Sequence, residues 1–392
     1  AIDLVAFNYF DKKWTDKVIY GAFVIKKGMK FPKYITLFEQ KQLQFALARI
    51  ASDTDEKRIN NHYTDKTISD LFYKPLEEDL KNTTTIYLAP TGLAHQINFK
   101  ALPLLENQTF GEQFEIKLVG SAASILDYKP TAFQETKDLE LILYGGINYE
   151  KSTTSVSKEA TDDFELEVTS NKEMETRSGI EKFGYLDGTN IEVKQIETVA
   201  KNKGFATQLF TETSATEEQI KSLSGKTTPF VLHLATHGFF FENAEKELPK
   251  EPGLLQGKSN AYKTSDDPML RSGLLFAGAN KFWRKQNDEK IDDGILTAKE
   301  ISNLDLSACQ LVVLSACETG LGQINGSEGV FGLQRAFKMA GVKNIIMSLW
   351  KVPDAQTSEL FEIFYTECFK GNSIQEAFQT AQNQMKSKYD PY

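Results

Sequence analysis

The chain has 392 residues, of which 41% are hydrophobic, and a formal net charge of -9; these values predict two or three globular units and argue against a nucleic-acid surface. Its three cysteines are too few for a disulfide framework and favour a reducing, cytoplasmic setting. No apolar run approaches the roughly 20 residues that span a bilayer, so the sequence predicts no membrane contact and no signal peptide.

The first 130 residues have the pattern of one α/β unit. Asp3–Phe10 and Lys17–Ile25 are predicted to be paired strands around the turn Asp11–Lys13. Two helical patterns follow, and Pro75 is expected to break or kink the second. The strand Thr85–Ala89 then ends at a Pro-Thr-Gly turn. The two helices are expected at Leu43–Ile50 and Ile68–Leu80.

A second unit begins near Leu139, where apolar strands alternate with amphipathic helices, the pattern of a parallel sheet covered on both sides. Two polar stretches, 150–180 and 241–290, are interpreted as surface insertions. Ser214 with Glu217 three residues later predicts a capping box. The strands are expected at Leu139–Gly145, Phe205–Phe210, within Phe230–Gly238 and Gln310–Gly320, and at Asn344–Trp350; the helices are expected at Ile191–Lys203, Ala215–Ser222, Ser327–Ala340, Thr357–Cys368 and Ser373–Met385.

Two of these strand segments end in a reactive residue close to a glycine. His237 stands directly before Gly238, and Cys317 stands three residues before Gly320. Because sites in a parallel sheet form at the carboxyl ends of strands, the two side chains are expected to meet there. A thiolate needs a base such as histidine, and the oxyanion that it creates needs backbone N–H donors. We therefore predict a Cys/His dyad in which the N–H groups of Gly238 and Cys317 hold the oxyanion.

The other histidines and cysteines have simpler interpretations. His233 shares strand parity with His237 and is expected on the same face, deeper in the strand, as a core histidine. Cys309 and Cys368 are predicted to be buried small hydrophobic residues. A zinc site would lack a fourth ligand at recognisable spacing, and no Asp-rich loop indicates calcium, so neither a metal nor a cofactor is predicted.

The glycines after Cys317 nearly match a dinucleotide-binding fingerprint. In Gly320–Asn325 the third glycine is replaced by Asn325, and no acidic residue stands about 20 positions later. A flexible loop beside the nucleophile explains these glycines better. A nucleotide-binding α/β domain remains as an alternative that rests on this loop alone.

Several motifs in a fixed order resemble the CHAT domain, a caspase-like protease domain that is related to separase and often attached to tetratricopeptide (TPR) repeats. The resemblance runs from about Leu139 to Tyr392, with a weaker match over Ile86–Tyr128. The motifs are VLHLATHGFF at Val231–Phe240, the segments Ser272–Gly278 and Gly294–Ile301, LVVLSACETGLG at Leu311–Gly322, the segment Gly326–Ala340, and Ser348–Trp350 with Asp354.

This resemblance implies a caspase-hemoglobinase fold, a three-layer α/β sandwich with a mainly parallel sheet flanked by helices. Residues 1–130 would be a degenerate pseudo-caspase half, and residues 139–392 the active half. The implied activity is that of a clan CD cysteine endopeptidase, with His237 as base or acid and Cys317 as nucleophile. The alternative is a catalytically silent caspase-like scaffold that binds proteins.

The resemblance also implies a protein or peptide substrate that is cut after Arg or Lys. Ser348 and Trp350 would line the substrate cleft. The acids proposed for a basic-residue pocket are Asp354, Glu318 and Asp293, although each also fits a structural or solvated role.

Self-processing is a further expectation. Lys250, Lys258 and Arg271 lie in or beside a predicted exposed loop, where cleavage is easiest, although solvated surface charge is the simpler explanation for them. Because family members often carry TPR repeats upstream and a further aromatic strand downstream, the chain is interpreted as an excised catalytic region of a bacterial, cytoplasmic protein. A TPR or other regulatory domain, or an activator protein, is the expected partner.

Overall fold

The computed structural model of the protein describes residues 1–49, 63–105, 108–126, 129–133, 139–151, 182–241, 262, 265–284, 293–315, 328–349 and 353–389. They divide into two compact units, the first mainly within residues 1–129 and the second mainly within residues 130–391. Both combine a sheet with helices, and the sheet of the second unit is parallel, so the predicted α/β class is confirmed. The three-layer caspase-type sandwich and the roles of the two predicted domains stay predictions.

A five-stranded mixed sheet forms the first unit. Its elements are β1 (Ile2–Asp11), β2 (Lys13–Val24), β3 (Lys33–Glu39), α1 (Gln40–Arg49), α2 (Lys66–Leu80), β4 (Thr85–Ala89), β5 (Pro103–Leu105), β6 (Gln108–Thr109), α3 (Phe110–Gln113) and β7 (Glu115–Leu118). The strand order is β3-β2-β1-β4-β7, with β4 parallel to both of its neighbours. Apolar side chains of β1, β2, α1 and α2 share one core.

The start of the chain confirms one prediction and corrects another. The predicted hairpin is present, and Lys12 forms its turn at a positive φ of 58°. A break or a kink was expected at Pro75, and the break is wrong, because α2 continues through the proline to Leu80. Phe72 and Leu76 bury the same helix face on either side of Pro75, and this packing keeps the helix continuous.

A five-stranded parallel sheet forms the second unit. Its elements, with those around it, are β8 (Glu140–Ile147), α4 (Asp187–Asn202), β9 (Ala206–Glu212), α5 (Glu217–Ser222), β10 (Val231–Leu234), β11 (Gly238–Phe240), β12 (Ser272–Leu275), α6 (Ala279–Arg284), β13 (Ile295–Thr297), α7 (Ala298–Ser302), β14 (Leu311–Leu314), α8 (Glu328–Met339), β15 (Asn344–Met347), α9 (Asp354–Cys368) and α10 (Ile374–Lys388). The strand order is β15-β14-β10-β8-β9. Because successive side chains point to opposite faces, Val231 packs in a core with α4 and α9, and Leu232 packs in a core with β12 and α8.

Three short strands make a separate antiparallel sheet in the order β11-β12-β13. The polar insertion predicted at 241–290 is therefore wrong for residues 265–284, since β12 is buried and α6 contributes Trp283 to the core. Gly273 explains part of the error, because a Cβ at this position would overlap the Phe239 ring. A small residue that the packing requires makes the strand look like a loop in the sequence.

Arg271 is only 4% exposed, so its predicted place in an exposed loop, where self-cleavage would be easy, is wrong. Its main-chain carbonyl accepts the N–H of Phe241, which ties it to the edge of the antiparallel sheet. Lys250 and Lys258, together with residues 152–181 of the other predicted insertion, lie outside the described residues.

The capping box predicted at Ser214 is also wrong. Helix α5 begins at Glu217 and is capped by Thr216, whose side chain accepts the N–H of Gln219 at 3.4 Å. Ser214 instead closes the preceding turn, where its hydroxyl donates to the Thr211 carbonyl at 2.6 Å. Ser214 and Thr216 stand close together in the sequence, and the second of them caps the helix.

Candidate active site

His237 lies beyond the carboxyl end of β10, in the connection that leads to β11. The last residue of β10 is Leu234, and β11 begins at Gly238. The His237 side chain is 4% exposed. Sites in parallel α/β sheets form at this edge, so the histidine stands where the sequence predicts the base of a dyad.

The sequence predicted that His233 and His237 lie on one face of the sheet, and this prediction is wrong. His233 is 0% exposed and contacts residues of α4 and α9 on one side of the sheet. His237 packs against Tyr149 and Phe183, which belong to the opposite core. The parity argument fails because β10 ends at Leu234 and the alternation of side chains ends with it.

Main-chain groups and aromatic rings fix the His237 imidazole. Its Nε2 lies 2.8 Å from the Gly184 carbonyl oxygen, and its ring centroid lies 4.9 Å from that of Tyr149 and 5.3 Å from that of Phe183. Because a carbonyl only accepts hydrogen bonds, Nε2 carries the hydrogen. In the neutral ring Nδ1 is then the basic nitrogen.

The main chain around His237 is held from the side of β8. The His237 N–H donates to the Tyr149 hydroxyl at 3.2 Å, and this hydroxyl also pairs with the Thr236 hydroxyl at 2.9 Å. Thr236 donates in turn to the carbonyl of Leu275 in β12. The connection between β10 and β11 is thus held by hydrogen bonds to Tyr149 and to β12, although it belongs to no strand.

Strand β14 leads toward the predicted nucleophile. Its four residues pair in parallel with those of β10, and the Ser315 N–H continues the pairing by donating to the Leu234 carbonyl at 3.0 Å. The predicted site residues Cys317, Glu318 and Trp350, and the glycines of 320–325, lie outside the described residues.

A buried polar network lies beneath this edge, and the sequence patterns did not reveal it. Glu192 of α4 places Oε1 2.6 Å from His233 Nε2 and accepts the Ser315 hydroxyl at Oε2, 3.0 Å away. His233 Nδ1 lies 3.1 Å from the Tyr365 hydroxyl. His233 is therefore the satisfied core histidine that was predicted. The overlooked signal is an acid, Glu192, on the apolar face of a helix beside Val193.

The two remaining cysteines have the predicted character. Cys309 and Cys368 are both fully buried. Burial raises the pKa of the Cys309 thiol to about 12 and that of Cys368 well above its ordinary value. Neither thiol is suited to form a nucleophilic thiolate near neutral pH.

Two of the predicted substrate-binding residues border the parallel sheet. Ser348 is half-buried directly after β15, and Asp354 is exposed at the first position of α9. A Cβ at Gly188, in the first turn of α4, would overlap the Asp354 side chain. The carboxylate thus lies against the N-terminal turns of two helices, whose exposed N–H dipoles favour negative charge.

Asp293 has a different environment, at the start of β13. Its Oδ2 accepts the Tyr262 hydroxyl at 2.7 Å, and its Oδ1 accepts the Ile295 N–H at 2.9 Å. Burial raises the Asp293 pKa, with Glu300 contributing in the same direction. Both carboxylate oxygens are already engaged in holding the local fold.

Next to Asp293 lies a buried acid that sequence reasoning treated only as part of a helix cap. Glu217 is 1% exposed, accepts the Gly294 N–H at 2.9 Å and contacts Lys221, which also lies 2.9 Å from Glu300. Burial raises the Glu217 pKa to about 7, against the opposing effect of Lys221. The Glu217 carboxyl group therefore keeps its proton to a higher pH than an ordinary glutamate does.

Within the ranges that the structure describes, no group of three His, Cys, Asp or Glu side chains is arranged to hold a metal ion. No helix in the same ranges is long and apolar enough to cross a membrane.

Comparison with known proteins identifies one family and two partial relatives. The family model of the CHAT domain matches residues 64–392. Tetratricopeptide repeat protein 28 of Mus musculus is 35% identical over 77 residues, and its Homo sapiens counterpart is 34% identical over 77 residues. Each match covers 20% of this chain and 3% of the relative, so the chain spans a small part of the length of these curated relatives.

Proposed function

The chain belongs to the CHAT domain family, which is related to caspase-like cysteine peptidases, and from this premise we propose that it is a cysteine endopeptidase acting on protein or peptide substrates. The proposed catalytic residues are Cys317 as nucleophile and His237 as base and acid. The observation that carries the proposal is the position of His237 relative to the paired strands β10 and β14.

The register of these two strands supports the dyad. Paired residues are separated by 80 positions along the chain, as in Val231 with Leu311 and Leu234 with Leu314. The same separation of 80 positions lies between 237 and 317. Neighbouring strands lie about 4.8 Å apart, and Cys317 follows Ser315, whose N–H bonds to Leu234, by two positions in the sequence. The thiol and the imidazole are thus expected within reach of each other.

The proposed reaction begins when Nδ1 of His237 takes the proton of the Cys317 thiol. The sulfur forms a bond to the scissile carbonyl carbon, and the carbonyl electron pair moves onto oxygen. When that pair returns, the C–N bond breaks and the imidazolium gives its proton to the leaving amine. Water then attacks the thioester with His237 again as base, which releases the acid product and the thiol.

Backbone N–H groups of Gly238 and Cys317 are proposed to stabilise the oxyanion. The carbonyl of His237 accepts the Leu275 N–H, and the N–H of Phe241 donates to Arg271, so residues 237 and 241 bond toward β12. Because these directions alternate along a strand, the Gly238 N–H points away from β12. We propose that this N–H donates to the oxyanion of a bound substrate.

A substrate preference for Arg or Lys before the cut is proposed to depend on Asp354. This carboxylate is exposed and borders the end of the parallel sheet. Asp293 is a weaker choice because its oxygens already accept two hydrogen bonds. Ser348 and Trp350 are proposed to line the cleft, and Glu318 remains a further proposed acid.

The wider organisation is also proposed by analogy with the family. The second unit would be the active caspase-type three-layer half and the first a degenerate half. Two relatives are named for tetratricopeptide repeats, which supports a protein-interaction setting and a TPR domain or activator protein as partner.

The alternative is a catalytically silent scaffold. The observation in its favour is the low exposure of His237, whose Nε2 is already bonded to Gly184. The same contact is what a working base needs from an orienting group, so it favours catalysis equally.

The decisive experiment is cleavage of a fluorogenic peptide panel that varies the residue before the scissile bond, with Cys317→Ala as the control. We expect turnover after Arg or Lys that the substitution abolishes. Turnover that persists in Cys317→Ala would refute the dyad. If the wild-type chain shows no turnover, labelling of Cys317 by an electrophilic peptide supports a latent enzyme, and failure of labelling supports the scaffold.

A further inference from the structure

We infer that Asn280 is a positioning residue for His237, because it fixes the main-chain segment that receives the imidazole Nε2–H. The inference rests on the proposed function, since it concerns the same histidine. It adds a residue that stands 43 positions away in sequence and that the Cys/His motif does not contain.

The Asn280 side chain is 0% exposed. It makes hydrogen bonds to both main-chain groups of one residue, Phe183. Its Oδ1 accepts the Phe183 N–H at 2.8 Å, and its Nδ2 donates to the Phe183 carbonyl at 2.9 Å. The second Nδ2 hydrogen reaches Glu150 Oε1, also at 2.9 Å. The amide thus holds Phe183 as a neighbouring strand would, with a donor and an acceptor at once.

Phe183 transmits this constraint to the histidine in two ways. The next residue, Gly184, supplies the carbonyl that accepts the Nε2–H of His237 at 2.8 Å. The Phe183 ring itself packs between His237, 5.3 Å away, and Trp283 of α6, 4.9 Å away, centroid to centroid. Residues 182–186 belong to no helix or strand, so these bonds and packing contacts define where the segment lies.

The main chain of Asn280 also holds Tyr149, a second aromatic residue in contact with the imidazole. Its N–H donates to the Tyr149 carbonyl at 2.9 Å. The Tyr149 hydroxyl accepts the His237 N–H, and its ring packs on the imidazole. Tyr149 and Phe183, which both pack on the His237 ring, are therefore both anchored at Asn280.

The consequence is chemical because the Gly184 carbonyl sets the tautomer. With Nε2–H bonded to that oxygen, the neutral ring presents Nδ1 as the base; without the bond the ring can rotate and exchange tautomers. A base that is misplaced by about 1 Å loses on the order of a hundredfold in rate.

Asn280→Asp tests the inference. It keeps an acceptor for the Phe183 N–H, loses the donor to the Phe183 carbonyl and places a carboxylate beside Glu150. We expect kcat of cysteine-dependent cleavage to fall by about a hundredfold while KM changes less than threefold. Asn344→Asp is the matched control, because Asn344 Nδ2 makes a side-chain bond to the Gln310 carbonyl of the same length, 2.9 Å, at the amino end of β15.

A readout independent of activity is the imidazole tautomer, measured by two-bond proton–nitrogen correlation NMR. The chain has four histidines, and His237→Gln assigns the relevant resonance. We expect the Nε2–H form in the wild type and in Asn344→Asp, and a mixture of tautomers in Asn280→Asp. If Asn280→Asp does not fold, Asn280→Ser takes its place and the same outcomes apply.

The two ideas can fail separately. Wild-type kcat together with an unchanged tautomer in the Asn280 variant overturns the positioning role. Cleavage that survives both Cys317→Ala and His237→Gln overturns the proposed function instead, and the NMR result then still decides whether Asn280 orients the ring.

Discussion

In each of the two units, a buried tyrosine hydroxyl accepts a main-chain N–H just beyond a parallel strand. In the first unit, Leu93 donates to Tyr20 at 2.9 Å after β4. In the second unit, His237 donates to Tyr149 at 3.2 Å after β10. The two connections are fixed in the same manner, but the N–H belongs to the apolar Leu93 in the first and to His237, whose side chain can move a proton, in the second. The difference is what an active half and a degenerate half would show.

The two units also differ in how many polar and charged side chains they bury. Among the described residues, the first unit buries Ser69 as its one polar side chain outside the aromatic residues. The second unit buries two histidines, two glutamates and an arginine. Burying such groups lowers stability unless each finds partners, so a fold without a site has little reason to hold them.

The largest expected effect compares His237 of the second unit with Leu93, which holds the corresponding position in the first unit. His237→Ala should lower kcat of peptide cleavage by about a thousandfold, within the usual range for loss of a general base. Leu93→Ala, the corresponding change in the first unit, should instead lower the free energy of unfolding by about 2–5 kcal/mol. Enzyme kinetics and urea unfolding of both variants measure the two effects. A Leu93 variant that stays folded but loses its kcat would contradict the assignment of the chemistry to the second unit.

The next effect concerns the substrate preference, which is proposed to depend on Asp354 of the second unit. Asp354→Asn should lower kcat/KM for peptides with Arg or Lys before the cut by about ten- to a hundredfold, the equivalent of a charged hydrogen bond worth about 1.5–3 kcal/mol. Asp293→Asn should leave that preference nearly unchanged. The fluorogenic panel, read as a ratio between basic and neutral peptides, measures both variants, and equal losses for all peptides would exclude Asp354 from the pocket.

Local patterns were sufficient to predict the strands of the parallel sheet and the position of the histidine. The apolar run Val231–Leu234 and the glycine at 238 are local signals, and β10 and the connection after it follow them. The hairpin at Lys12 and the core position of His233 were predicted for the same reason. Signals of this kind need no knowledge of distant contacts.

Long-range partners explain what the patterns missed. Asn280 bonds to a residue 97 positions away, and Glu192 bonds to a histidine 41 positions away. Neither spacing leaves a periodic trace in the sequence. Arg271 and β12 were mistaken for an exposed insertion because polar and small residues stand there. They are buried because β12 pairs with β11 and β13, which are distant from it in the sequence.

The pH dependence of stability tests whether the second unit holds a buried acid, Glu217, that titrates differently from an exposed acid of the first unit. Burial raises the Glu217 pKa from its ordinary 4.5 to about 7, so between these values the folded state holds a proton that the unfolded state has released. Glu217 therefore lowers stability as the pH rises from about 4.5 to about 7, and the loss persists above that range. Between pH 5 and pH 8 the free energy of unfolding of Glu217→Gln should therefore fall by about 2 kcal/mol less than that of the wild type.

Urea unfolding of the wild type and Glu217→Gln at pH 5 and pH 8 measures that decline. Glu78→Gln is the control in the first unit, since the Glu78 side chain is 78% exposed. We expect the Glu78 variant to follow the wild-type pH curve. If the Glu217 variant follows it as well, the buried cluster does not titrate in this range.

The smallest effect separates structural fixation from chemistry at the paired tyrosines. Tyr20→Phe and Tyr149→Phe each remove a hydroxyl that accepts a main-chain N–H, and each should lower the free energy of unfolding by about 1 kcal/mol. Only Tyr149→Phe should also lower kcat, because the N–H that it releases belongs to His237. Calorimetry and peptide cleavage on the same samples measure both quantities. Equal kcat in the two variants would mean that the main chain at 237 keeps its place without the hydroxyl, and that the rings and the Gly184 carbonyl alone orient the imidazole.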